Sequence, residues 1–278
     1  MQGEVAMVDI PRDHRIELSS LLQRSSMILQ SYQVPVCRFG YFGSAVHDPD
    51  TKDIDVLLTL SLSRKDISDF KNVLATVVAR MDGDYTSKAP VNLASMPYIE
   101  QCVSALHEAT GLPVVFGLGP SNKHNHLGQW IHLNGPMTDE LWSLFTRRYP
   151  IHGFLIHENY VPIVGNCPDA SPFDGETLLE YCADMVRRDR AMPTLKTADK
   201  FIRVLALLGG ESHVHRASAI DKVFSWAPIL AEELKSFFST AKDSEASQMT
   251  LALSDAVSSM AKIMIARNMK YPQNWRVS

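Results

Sequence analysis

The chain has 278 residues, 45% of them hydrophobic and 21% charged, which is enough apolar material for one large core or two smaller ones. Its 27 lysines and arginines face 31 aspartates and glutamates, a net charge of −4 with no run of basic residues, so a broad electrostatic grip on nucleic acid is not expected. No uninterrupted apolar window is long enough to span a membrane, residues 1–10 lack the build of a signal peptide, and the four scattered cysteines form no CxxC pair; the chain reads as cytoplasmic.

The first helix is expected over 16–32, where Leu18, Leu21, Leu22, Ile28, Leu29 and Tyr32 form one apolar stripe and Pro35 ends it. A strand over 36–42 then stops at Gly43, and a second runs over 54–60. Between them lies the most informative stretch of the chain. Gly43-Ser44 is followed after eight residues by Asp53-Ile54-Asp55 and the apolar Val56-Leu57-Leu58. Strand side chains alternate, so Asp53 and Asp55 face one way while Ile54 and Val56 pack inward. Two carboxylates side by side repel, and a divalent cation relieves them. A Gly-Ser turn lets backbone N–H groups and a hydroxyl approach phosphate oxygens. These parts describe a metal-dependent phosphoryl or nucleotidyl transfer site. A calcium loop starting at Asp48 fails, because Lys52, Asp53 and Thr59 would stand where a ligand, glycine and glutamate belong.

The same residues resemble the signature of the polymerase-β-like nucleotidyltransferase superfamily, closest to its small bacterial members such as antibiotic adenylyltransferases and minimal nucleotidyltransferases. The specific likeness covers this one stretch. It implies that the second strand runs antiparallel to the first. It also implies that Asp53 and Asp55 hold two Mg²⁺ ions and that Gly43 and Ser44 grip the triphosphate of an NTP, with ATP first choice.

Further along, helices are expected over 64–81 and 95–110, the latter closed by Gly111 and Pro113. Short strands over 113–117 and 129–133 flank a polar loop, 121–128, and a helix over 137–149 precedes an extended piece at 154–156. Composition shifts after Gly165: residues 166–175 hold two prolines, two aspartates and a glycine, and mark a boundary. Beyond it helices are expected over 176–190, 194–208, 217–241 with a break at Pro228, and 244–269. The expected fold class is α+β: a nucleotidyltransferase-type mixed sheet with flanking helices over 1–165, then a helical domain over 176–278 that completes the substrate cleft.

The resembling family carries a third acid on a later strand, beside the aspartate pair. Here the slot in Gln129-Trp130-Ile131-His132-Leu133 holds His132. An imidazole can accept a proton or ligate a metal but adds no negative charge. Three readings stay open: His132 is the general base, Glu158 or Asp139 supplies the acid, or the site works with fewer ligands or is not catalytic. On the helix from Thr194, Lys196, Lys200 and Arg203 recur at i, i+4 and i+7. They read either as a solvated ridge or, for Lys200 and Arg203, as cations that neutralise triphosphate charge. The histidines His124, His126, His213 and His215 read as polar loops, and Trp130, Trp142 and Trp226 as core. The functional expectation is an enzyme that moves an NMP from an NTP to a hydroxyl of a small-molecule acceptor. A degenerate nucleotide-binding protein, or a transferase acting on a protein or RNA acceptor, is the alternative. Neither a membrane nor an extended nucleic acid is an expected partner, and no oligomeric state follows.

Overall fold

The computed structural model describes residues 12–48, 50–67, 96–116, 128–166, 169–191, 193–210, 216–242 and 245–273. Residues 1–145 with 160–169 make one compact unit, and 146–159 with 170–278 a second. Most of the helix expected over 64–81, and the four loop histidines, lie outside the described residues; Arg64–Asp66 forms a 3-10 turn closed by a Ser63/Asp66 capping box.

The first unit is built on a five-stranded mixed sheet. Its strands are β1 (Val36–Phe42), β2 (Asp53–Leu60), β3 (Val114–Phe116), β4 (Trp130–Thr138) and β5 (Val161–Val164), in the spatial order β3-β4-β2-β1-β5. The ten residues between Phe42 and Asp53 are too few for a crossover, so β1 and β2 pair antiparallel, Phe42 opposite Asp55. The longer path from β2 to β4 returns parallel, which sets Asp53 beside Trp130, and Asp55 beside His132. Helices α1 (Arg12–Ser31) and α2 (Ile99–Thr110) supply Leu18, Leu22, Leu29, Cys102, Ala105 and Leu106 to the core against Phe39, Ile54, Val56 and Ile131. Gly111 closes α2 in the left-handed conformation, φ +70°.

Two strands differ from expectation. β4 does not stop at Leu133 but continues through Asn134-Gly135-Pro136. Between Leu57 and Thr59 of β2 it advances from Asn134 to Met137, one residue extra, and this bulge accommodates the proline. β5 has no counterpart among the expected strands, since it is four residues long and contains Pro162; as an edge strand it needs no donor there.

The chain then continues with α3 (Asp139–Arg148), whose tryptophan Trp142 is buried, as is Trp130 on β4. The piece expected to be extended at 154–156 is instead the middle of α4 (Pro150–His157), started by Pro150 in its first turn. That helix belongs to the second unit, where Ile151 and Phe154 join the core. The second unit further contains α5 (Gly175–Ala191), α6 (Leu195–Leu208), α7 (Arg216–Val223), α8 (Pro228–Thr240) and α9 (Ser247–Ala266). A two-stranded ribbon of β6 (Phe173–Asp174) and β7 (Lys270–Tyr271) completes it. α9 is long and apolar enough to cross a membrane, but it sets Val257, Ala261 and Met264 into the helical core and exposes Asp255 and Lys262. Trp226 is not core: it lies 77% exposed in the turn between α7 and α8, where Pro228 starts a new helix.

Candidate active site

At the point where β1 ends and β2 begins, the expected residues of the first unit converge. Alternation holds: Asp53 and Asp55 are half-buried on one face, while Ile54 and Val56 are fully buried on the other. From Val56 onward every residue of β2 is buried, because this central strand is covered on both faces. The two carboxylates therefore stand at the last positions of the strand that still reach solvent.

Gly43 opens a single 3-10 turn, Gly43–Val46, with φ +79°, a conformation that favours glycine. A Cβ at this position would meet Asp55 Oδ2 at 2.9 Å. The turn and the strand thus approach more closely than a residue with a side chain allows. Ser44 Oγ shares a 2.7 Å hydrogen bond with the buried Thr51 Oγ1, which lies 3.4 Å from Asp53 Oδ1. The carbonyl of Ser44 accepts the N–H groups of His47 and Asp48, which fixes the turn.

His132 occupies the slot beside Asp55, its Nδ1 3.0 Å from Asp55 Oδ1. Asn134, two residues on and so on the same face of β4, donates through Nδ2 to Asp55 Oδ1 at 3.2 Å and to the His132 carbonyl at 3.2 Å. With Asp55 as acceptor, His132 presents Nδ1–H to it. The Trp130 ring packs against the imidazole, centroids 5.5 Å apart.

Of the two alternative acids, Asp139 lies just past the far end of β4. Asp139 stands seven residues beyond His132, roughly 20 Å along the strand direction. There it pairs with Arg38 and accepts from the Cys37 thiol. Burial, then the Asp139 charge, push the Cys37 thiol up. Glu158 belongs to the second unit, beside His157.

Lys200 and Arg203 also belong to the second unit, on α6. Lys196 is exposed, whereas Lys200 and Arg203 are half-buried. Arg203 pairs with the buried Asp199, which also accepts from Arg216 Nε at 2.8 Å. Burial, then the neighbouring charges of Arg188, Arg203 and Lys196, push the Lys200 ammonium down to about 8. His152 on α4 is held well below the usual imidazole range by burial and by Lys200 and Arg188.

Sequence reasoning misses Thr51 and Asn134. Thr51 is within reach of the same rule that finds the aspartates, being two residues before Asp53 on the approach to the strand; Asn134 is not, because it lies past the expected end of its strand, next to Gly135-Pro136. Asp53 and the Oδ2 oxygen of Asp55 suit a divalent cation whose other ligands are water or phosphate oxygens. Among the described residues no three His, Cys, Asp or Glu side chains form a metal-holding group. Set against known proteins, the chain matches no family model and no curated protein.

Proposed function

We propose that the chain is a Mg²⁺-dependent nucleotidyltransferase of the polymerase-β-like kind, moving an NMP from an NTP, with ATP first choice, to a hydroxyl of a small-molecule acceptor. The observation that carries this reading is the approach of the Gly43-Ser44 turn to Asp55 at the open end of the sheet. It puts phosphate-type donors next to paired carboxylates, an arrangement with no use in packing alone.

In this reading the turn's backbone N–H groups and the Ser44 hydroxyl hold phosphate oxygens, with Thr51 fixing the rotamer of Ser44. Asp53 and Asp55 hold the cation, which when bound neutralises phosphate charge and the charge that develops on transfer. The acceptor hydroxyl forms a new bond to the α-phosphorus as the bond to the β-phosphate oxygen breaks, and pyrophosphate leaves. His132 Nε2 takes the hydroxyl proton while Asp55 holds the ring by Nδ1–H. The net charge of −4 favours a cationic acceptor.

The test is pyrophosphate release with each of the four NTPs against a panel of hydroxylated amines, with protein and RNA acceptors as separate arms. Release that requires Mg²⁺ and is lost in Asp53→Ala supports the reading. Binding of Mg²⁺–ATP without release in any arm would favour the non-catalytic alternative, for which the histidine in the acid slot is the motive.

A further inference from the structure

We infer that this centre takes one divalent cation and not two, with His132 and Asn134 standing where a second would be held. The inference rests on the nucleotidyl-transfer reading and departs from the two-ion site that the resemblance implies.

The oxygens of Asp55 are unequal. A carboxylate oxygen offers two lone-pair directions. Asp55 Oδ1 receives two donors, His132 Nδ1 at 3.0 Å and Asn134 Nδ2 at 3.2 Å. A cation on that oxygen would meet two N–H groups aimed at the same place. Oδ2 is differently set: it faces Gly43, where a Cβ would come within 2.9 Å of it. Asp55 is therefore built to give one oxygen to the protein and one to a ligand. A two-ion site, with cations about 4 Å apart, calls for a carboxylate that serves both ions and enough negative charge to hold them together. The described centre has two carboxylates, and the third position is an imidazole already turned by its Nδ1 toward Asp55. Asn134 strengthens the arrangement by tying the His132 carbonyl to the same Asp55 oxygen, which holds both partners in place.

Metal counting tests this directly. Mn²⁺ replaces Mg²⁺, and the ions bound per chain are measured by equilibrium dialysis and electron paramagnetic resonance with saturating α,β-methylene ATP. One ion per chain is expected for the unaltered protein. Two ions would overturn the inference and leave the nucleotidyl-transfer reading standing. No ion, with nucleotide bound or not, would overturn that reading and this inference with it. His132→Asp removes one donor from Oδ1 and adds a carboxylate in its place, so the count should rise from one to two. Asn134→Asp is the second variant, should the first fail to fold, and the same rise is expected. A folded variant of either kind that still holds one ion would overturn the role assigned to the pair.

Discussion

A methyl group on residue 43 would lie 2.9 Å from Oδ2 of Asp55, in a backbone conformation, φ +79°, that already disfavours any side chain. Gly43→Ala therefore meets two penalties. The left-handed backbone costs about 1–2 kcal/mol of stability, and the contact displaces Asp55. Gly111 is the control: it has φ +70°, and a methyl group there would meet nothing within 4 Å. Urea unfolding should give a larger loss for Gly43→Ala than for Gly111→Ala, and pyrophosphate release should fall on the order of 10²-fold only in the first. Equal activities would separate the turn from the chemistry.

Asp53→Ala and Asp55→Ala should each lower transfer by about 10²-fold or more, because each removes charge that the transition state needs. They should differ in stability. Asp55→Ala strips a shared acceptor from the half-buried His132 and Asn134, a loss of roughly 1 kcal/mol. The Asp53 carboxylate has a weaker tie, to Thr51 at 3.4 Å, so its removal should leave the urea midpoint nearly unchanged.

His132→Ala should lose transfer but keep Mg²⁺–ATP affinity, since Asp53 and Oδ2 of Asp55 remain. Calorimetric titration with the non-hydrolysable analogue and a turnover assay on the same preparation check the two halves. Turnover at the unaltered rate would exclude a proton-accepting role.

Lys200 makes folding depend on alkaline pH. Its ammonium titrates at about 8 in the folded chain and at about 10.4 when unfolded. Between those values the unfolded chain binds more protons, so stability from this group rises with pH through that window. Below pH 8 both states are charged and the buried charge is a standing penalty. Lys200→Met should remove the rise and, at pH 7, stabilise the protein by on the order of 1 kcal/mol or more. Urea midpoints at pH 7, 8.5 and 10 check the sign.

His152 acts at the other end of the scale. The folded chain holds it neutral well below the usual imidazole range, whereas the unfolded chain protonates it below about 6.5. Its contribution is therefore lost as pH falls through about 6.5 and beyond. His152→Phe, which keeps a ring between Tyr149 and Tyr181, should flatten the difference in unfolding free energy between pH 7 and 5.

The aspartate pair and the Gly-Ser turn are legible in the sequence because their meaning is local. Strand alternation and a glycine after an apolar run are written in adjacent residues. Asn134 is not legible, because Gly135-Pro136 looks like the end of a strand, and only the bulge opposite Leu57 and Thr59 lets β4 pass through it. Phe154, Leu155 and Ile156 look extended, since their burial partners come from helices far later in the chain. The cations of α6 have the spacing of an exposed ridge. Nothing nearby in the sequence tells that Asp199, lying between them, is buried and draws Arg203 and Arg216 inward.

Helix α4 has a consequence for any attempt to dissect the protein. The polypeptide enters the second unit at residue 146, leaves it after 159 and re-enters at 170, so the two units are threaded through each other in sequence. A fragment ending at 165 would carry Ile151 and Phe154 bare of the helices that bury them. A fragment starting at 176 would lack those two side chains and Phe173, which stacks on Tyr271. During synthesis, α4 emerges before any of the helices it packs against, and it must wait for them. The second unit can close only after Lys270 and Tyr271 of β7 have left the ribosome.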